Sequence, residues 1–220
     1  MQTLSAYTQL SDAEIIDRVL TGEKSLYEVL IRRYNPYLYK TGMSYGFYHE
    51  DVEDLMQETF INAYKSLSKF QNRSSFKTWL IKIMLHECYH KAQKHKSSRE
   101  ITFETFVDKI TSMFSGNHSS NTERIIANRE LNSVIERAIM KIAFDYRMVF
   151  LLREINGLSV QETAKTLNIS ETNVKVRLNR AKAMLRKEIE KMYTPDEIFQ
   201  FNLIYCDKIV DNVMKRISEE

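Results

Sequence analysis

Five glycines and two prolines are all the dedicated turn formers in a chain of 220 residues. An antiparallel sandwich or barrel turns back roughly every 8–12 residues and leans on Gly, Pro, Asn and Asp to do so. This chain has too few, and it is rich instead in Leu, Ile, Lys, Glu and Met, most of which lose little freedom in a helix. The expected fold class is all-α. With 43% hydrophobic and 28% charged residues, the balance is that of a folded globular protein rather than a disordered or fibrous one.

Several function classes are set aside by what is missing. Cys88 and Cys206 stand far apart, with neither the spacing of a CxxC site nor the density of a disulfide scaffold. They are expected to be reduced, buried thiols. The start "MQTLSAYTQLSDAEIIDRVL" shows no charged-then-apolar leader, and no run of 18 apolar residues occurs. A cytoplasmic protein that does not span a membrane is expected. The net charge of +3 says little about nucleic acid, so the distribution of charge must.

Along the chain, Ser11 and Glu14 form a capping box ahead of Ile15, Ile16, Val19 and Leu20, and Thr21-Gly22 ends that helix. Leu26, Val29, Leu30 and Tyr34 carry a second helix, expected to close at Asn35-Pro36 because proline restricts its predecessor. The third, "YHEDVEDLMQETFINAYKSLSKF", opens with acids and closes with Lys65 and Lys69, an order that suits the helix dipole. Leu55, Phe60, Ala63, Tyr64 and Leu67 are expected to form its buried stripe. Asp51, Asp54 and Glu58 then share an outward line, which taken alone reads as a solvated face.

After the polar break "QNRSSF" comes "KTWLIKIMLHECYHKAQKHK". On a wheel of about 100° per residue, Leu80, Ile83, Met84, Cys88 and Ala92 gather on a core side, with Trp79, Lys82, His86, Tyr89, His90 and Gln93 opposite. Between Lys77 and Arg99 six Lys/Arg meet a single Glu. The exposed side is therefore basic and set with aromatic rings.

Residues 96–124, polar and Ser/Asn/Gly-rich around Gly116, read as a flexible linker. Helical spacing resumes at Leu131, Val134, Ile135, Ala138 and Ile139, which opens a second, smaller helical domain. Val149, Leu151, Leu152 and Ile155 form an apolar helix ending at Asn156-Gly157, and Ser159 with Glu162 makes another capping box. After Asn168-Ile169, Ser170 caps a helix whose Val174, Leu178, Ala181 and Leu185 face inward. Helix, tight turn, helix is the helix-turn-helix plan. Its outward side offers Thr172, Asn173, Lys175, Arg177 and Arg180, types that grip phosphates or read base edges.

In their order and separation, "DVEDLMQETFINAY", "FKTWLIKIMLHECYHKAQK" and "REINGLSVQETAKTLNISETNVKVRLNRAKAMLRK" make the chain resemble the bacterial extracytoplasmic-function sigma factors, the two-domain promoter-recognition subunits of RNA polymerase. The resemblance runs from about residue 12 to residue 193. It implies a region 2-like domain over 1–95, the linker over 96–124, a region 4-like helix-turn-helix domain over 125–193, and a helical extension over 194–220. It implies that Asp51, Asp54, Gln57, Glu58 and Phe60 dock on the clamp helices of the polymerase β′ subunit. The melted downstream promoter element would meet Phe70, Arg73, Ser75 and Phe76 around a flipped base, and Lys77, Trp79, Lys82 and His86 along the strand, because stacking an unpaired base calls for aromatics in a cationic groove.

The same resemblance places Thr172, Asn173, Lys175, Arg177 and Arg180 in or beside the duplex upstream element, and the apolar helix at 149–152 near the β flap. Implied partners are core RNA polymerase and promoter DNA, with an anti-sigma factor as a further candidate. No catalysis, metal or cofactor is implied. The chain departs from the family at His86 and His90, where asparagine and aspartate are common, and this bears on downstream-element preference. The tail, with Phe199, Phe201, Ile209, Val210, Val213 and Ile217 apolar, reads as an amphipathic helix expected to pack on the second domain, the alternative being that it restrains the DNA-reading helix until polymerase binds.

Two other classes compete. "HECYH" at 86–90 fits the H-E-x-x-H helix of zinc hydrolases. The longer metzincin pattern fails, because Gln93 and Lys96 stand where its glycine and third histidine belong. Glu100, Glu104 and Asp108 lie in the linker-like stretch, so a catalytic zinc is disfavoured. A stand-alone helix-turn-helix regulator would bind an operator by itself, usually as a dimer.

Overall fold

The computed structural model describes residues 9–96 and 122–191 together with 210, 213–215 and 217, and every regular element among them is helical. Helix α1 (Asp12–Leu20) starts on the expected capping box. The Ser11 hydroxyl accepts the Glu14 N–H at 3.3 Å while the Glu14 carboxylate accepts the Ser11 N–H at 2.8 Å. Ile15, Ile16 and Val19 turn inward and Leu20 does not.

A 3-10 turn at Lys24–Leu26 leads into α2 (Tyr27–Tyr45), which runs straight through Pro36. The expectation that this proline closes the helix is therefore corrected. Pro36 sits on the exposed side, so the carbonyl it leaves without an amide partner faces water. Tyr34 and Leu38, buried on either side of it, hold the helix onto the core. Arg33 pairs with Asp12 at 2.5 Å, and the Tyr34 hydroxyl donates to the same carboxylate, pinning α1 to α2.

Helices α3 (His49–Lys65) and α4 (Phe76–Lys96) complete the first domain. Gly42 lets α2 approach α3 closely: a Cβ there would stand 2.7 Å from Val52 Cγ1. The core between these helices takes Leu30, Leu38, Val52, Leu80 and Met84 to complete burial, each worth roughly 1.5–3 kcal/mol in transfer terms. Ile81 joins them at 0% exposure, a residue the wheel did not place inside, whereas Tyr64, expected in the stripe, is exposed. The Cys88 thiol is buried, and burial pushes its pKa up to about 12, so it is an inert core group. Cys206 lies outside the described residues.

Residues 97–121, most of the expected linker, also lie outside the described residues, and α5 (Thr122–Lys141) begins inside the span assigned to that linker. Its first residues, "TERIIANRE", contain no Gly or Pro to delay a helix. Helix α6 (Phe144–Phe150) continues into one π turn (Leu151–Ile155); α7 (Val160–Leu167) and α8 (Glu171–Glu190) follow. Val149, Ala164 and Val174 form a small core of their own. The buried Arg147 guanidinium donates to the carbonyls of Met140 at 2.6 Å and Ile142 at 3.3 Å, closing the end of α5. In the tail, Phe199, Phe201 and Ile209 lie outside the described residues, while Val210, Val213 and Ile217 are exposed.

The two domains touch. Leu152 and Leu158, from the π turn and the loop after it, belong to the core of the first domain. Phe144 meets Tyr45 edge-on at 4.9 Å. Asn156, 1% exposed, donates to the Thr41 hydroxyl at 3.1 Å, and its carbonyl accepts from Lys77 at 2.8 Å. The Thr78 hydroxyl donates to Glu162 at 2.6 Å. No periodicity in the sequence announces these contacts.

Candidate polymerase and nucleic-acid interfaces

Helix α3 has two chemically opposite sides. Val52, Leu55, Thr59 and Ala63 are buried, and Asp54, Gln57 and Glu58 are exposed. Like charges at Asp54 and Glu58, four apart, repel slightly and favour a cationic partner. Asp51 is only partly exposed and closes a 2.6 Å ion pair with Lys91 of α4. Phe60, grouped with these acids by resemblance, is 6% exposed and packs on Tyr27, whose hydroxyl donates to the Phe60 carbonyl at 2.8 Å. It supports the face from beneath and does not present a contact.

The loop and the start of α4 bring rings together. Phe70 lies 5.0 Å from Trp79 and 5.6 Å from Phe76, and Phe76 lies 5.5 Å from Tyr34. Phe76 is 2% exposed and so is the floor of this cluster rather than a stacking surface; Phe70 and Trp79 are half-buried and offer edges. Trp79, which the wheel put outside, is thus drawn partly inward by its neighbours. Arg73 is exposed, next to Asn72 at φ 53, a left-handed conformation that asparagine tolerates. Ser75 caps α4: its hydroxyl oxygen accepts the Thr78 N–H at 3.1 Å.

Farther along α4, Lys82 and His86 are exposed. Lys77 is not open in the same way, since its ammonium holds the Asn156 carbonyl and lies 5.1 Å over the Tyr37 ring. The structure therefore leaves Arg73, Lys82 and His86 exposed and Phe70 and Trp79 half-buried against each other, and gives Ser75 and Lys77 structural partners. Thr41, Thr78, Asn156 and Glu162 were absent from the sequence-derived site. Of these only Glu162 carried a signal, and that signal was its capping box.

In the second domain the Ser159 and Glu162 box starts α7, and Asn168 ends it in the left-handed region at φ 53. The Ile169 N–H donates to the Ala164 carbonyl at 3.0 Å, tightening the turn, and the Ser170 hydroxyl accepts the Asn173 N–H at 3.2 Å to start α8. Val174 and Ala181 anchor α8 inward, leaving Thr172, Asn173, Lys175 and Arg180 exposed. Arg177 is partly covered and pairs with Asp145 at 3.4 Å. Residues 149–152 do not offer a flap contact through Val149, Leu151 or Leu152, all 0% exposed; the apolar run there is core.

Residues 30–98 match the Sigma-70 region 2 family and residues 133–185 match Sigma-70, region 4. Two helical units of these kinds, in this order, define a promoter-recognition subunit of RNA polymerase. The chain belongs to the ECF-type sigma factors, whose function is to direct transcription initiation with core RNA polymerase on promoter DNA. It is 29% identical over 188 residues to the ECF RNA polymerase sigma-E factors of Escherichia coli strain K12 and of Salmonella typhi, covering 84% of this chain and 97% of each relative. The RNA polymerase sigma-H factor of Pseudomonas aeruginosa is 27% identical over 198 residues, with the same coverage.

Among solved structures, CnrH in complex with the cytosolic domain of CnrY is similar at a TM-score of 0.58 and 22% identity, covering 82% of this chain and 97% of that one. The sigma factor RpoE in complex with the anti-sigma factor NepR from Bartonella quintana gives 0.53 at 21% identity, covering 70% and 91%. Both likenesses speak for the fold.

Proposed function

We propose that this sigma factor works through three faces of its helical scaffold. Asp54, Gln57 and Glu58, backed by the Asp51–Lys91 pair, dock on the clamp helices of the polymerase β′ subunit. Arg73, Lys82 and His86, with the edges of Phe70 and Trp79, hold the melted downstream element, and Thr172, Asn173, Lys175, Arg177 and Arg180 read the duplex upstream element. The protein acts in the cytoplasm and performs no chemistry itself; bond formation stays with the polymerase.

The observation that carries this reading is the separation of charge. An exposed acidic face on α3 suits a basic protein surface, and a cationic, ring-bearing face on α4 and a cationic face on α8 suit nucleic acid. With Lys77 and Thr78 held by Asn156 and Glu162, a strand that reaches the start of α4 must displace the second domain from it. Core binding and promoter engagement therefore accompany separation of the two domains. An anti-sigma factor is a candidate partner, since one of the similar solved structures, that of RpoE, is a complex with the anti-sigma factor NepR.

Charge reversal tests the assignment. The variant carrying Asp54→Arg and Glu58→Arg is expected to keep its helical circular dichroism and lose at least about tenfold in affinity for core polymerase, or ~1.4 kcal/mol. Lys175→Ala with Arg180→Ala is expected to leave core affinity unchanged and to weaken promoter-specific initiation. Wild-type core affinity in the reversed variant would refute the docking face.

A further inference from the structure

On the exposed side of α4 the Nε2 atoms of His86 and His90 stand 2.9 Å apart, with ring centroids separated by 4.2 Å. As a hydrogen bond, this contact requires one ring to carry the Nε2 proton and the other to leave Nε2 bare. On a solvated helix such a bond adds little, because water competes for both groups.

The same spacing fits a metal ion. Two nitrogens bound at roughly 2.0–2.1 Å and lying 2.9 Å apart subtend about 90° at the ion. A tetrahedral ion would want them about 3.3 Å apart. Right angles between imidazoles belong to tetragonal and octahedral late first-row ions. Positions four apart on a helix supply this geometry, because their side chains lie on one face.

The surroundings are suited to it as well. The His86 side chain is 66% exposed, so an ion can enter and keep water on its open positions. Behind His86, Glu87 Oε1 lies 3.8 Å from Nδ1 and is itself held by Asn62 Nδ2 at 3.1 Å. The pair is too long for a hydrogen bond, but the carboxylate's charge beside Nδ1 favours the tautomer with a proton there and Nε2 bare for a metal. Lys91, the cation next to His90 in sequence, is paired with Asp51, which softens its repulsion of an ion. Among the described residues no group of three His, Cys, Asp or Glu is placed around one metal. The pair is an open two-ligand chelate, unlike the closed or hydrolytic zinc centres that the motif first suggests.

We propose that His86 and His90 together form a bidentate chelate for Cu(II) or Ni(II), with Glu87 as a positioning residue behind His86. The binding stands on these side chains and does not depend on the DNA-contact reading of α4. Because the site lies one turn from Lys82, a bound ion adds positive charge to that side of the helix.

The test is calorimetric titration of the full, untagged chain with nickel and copper salts near pH 7.5, where most imidazoles are neutral. One equivalent of either ion is expected to bind at the histidine pair with a dissociation constant on the order of micromolar, and the copper complex is expected to show imidazole nitrogens in its electron paramagnetic resonance spectrum. His86→Ala or His90→Ala is expected to weaken this binding at least about tenfold, and Glu87→Gln severalfold, with circular dichroism unchanged. His49→Ala, on another helix, is expected to leave it alone. Wild-type affinity in the double His86→Ala, His90→Ala variant, or no nickel binding at about 1 mM ion, would overturn the site.

Discussion

Glu162 holds two structures together at once. Its Oε2 accepts the Ser159 N–H at 2.9 Å, capping α7, and its Oε1 accepts the Thr78 hydroxyl from the other domain at 2.6 Å. Burial works against the charged form, but the bonds from Thr78 and Ser159 and the nearby Lys77 ammonium outweigh it and hold the carboxyl below its usual value of 4.5. A group with a depressed folded-state pKa contributes stability that is complete above the unfolded value and is lost as pH falls through the folded one. Glu162→Gln is therefore expected to cost at most about 1 kcal/mol at pH 7, a cost that shrinks as pH falls from 7 into the acid range below the usual carboxylate value. Urea denaturation of both proteins across that range is the measurement, and parallel pH profiles would contradict the role. The capping half of this residue was legible in the sequence. The bond to Thr78 was not, because nothing periodic couples positions 84 residues apart. Phe60 and Phe76 show the converse limit: the resemblance carried contact roles onto them without carrying burial, and both are core.

Helices were legible where local rules and tertiary packing agree. The capping boxes at Ser11 and Ser159 start α1 and α7 as read, and the turn between α7 and α8 falls at Asn168. Pro36 marks where they disagree: the local rule ends a helix, but buried Tyr34 and Leu38 outweigh the loss of one solvent-side hydrogen bond. The wheel for α4 missed Ile81 because the helix is covered from more than one direction, leaving no single clean apolar stripe. At Asn168, with φ 53 and ψ 48, a β-branched residue is strained and glycine is not. Asn168→Val is expected to destabilise the protein by about 1–2 kcal/mol, and Asn168→Gly to leave stability nearly unchanged. Thermal denaturation checks this, and equal melting temperatures for the two variants would show that the turn does not depend on the left-handed residue.

At the scale of the molecule, two apolar patterns separated by a polar stretch announced two helical domains. Their contact was hidden, since Leu152 read as part of the second domain's apolar helix and instead, with Leu158, completes the first domain's core. That closure occupies Lys77 and Thr78, so the proposed three-face arrangement is complete only when polymerase and promoter hold the domains apart. The direct measurement is in vitro transcription from a genomic promoter library by bacterial core polymerase, with and without this protein, read as discrete transcript starts. Starts that appear only when the protein is added, and that are lost with the Asp54→Arg, Glu58→Arg variant, are the predicted result. No stable association with core polymerase and no start at any promoter in the library would contradict the central claim.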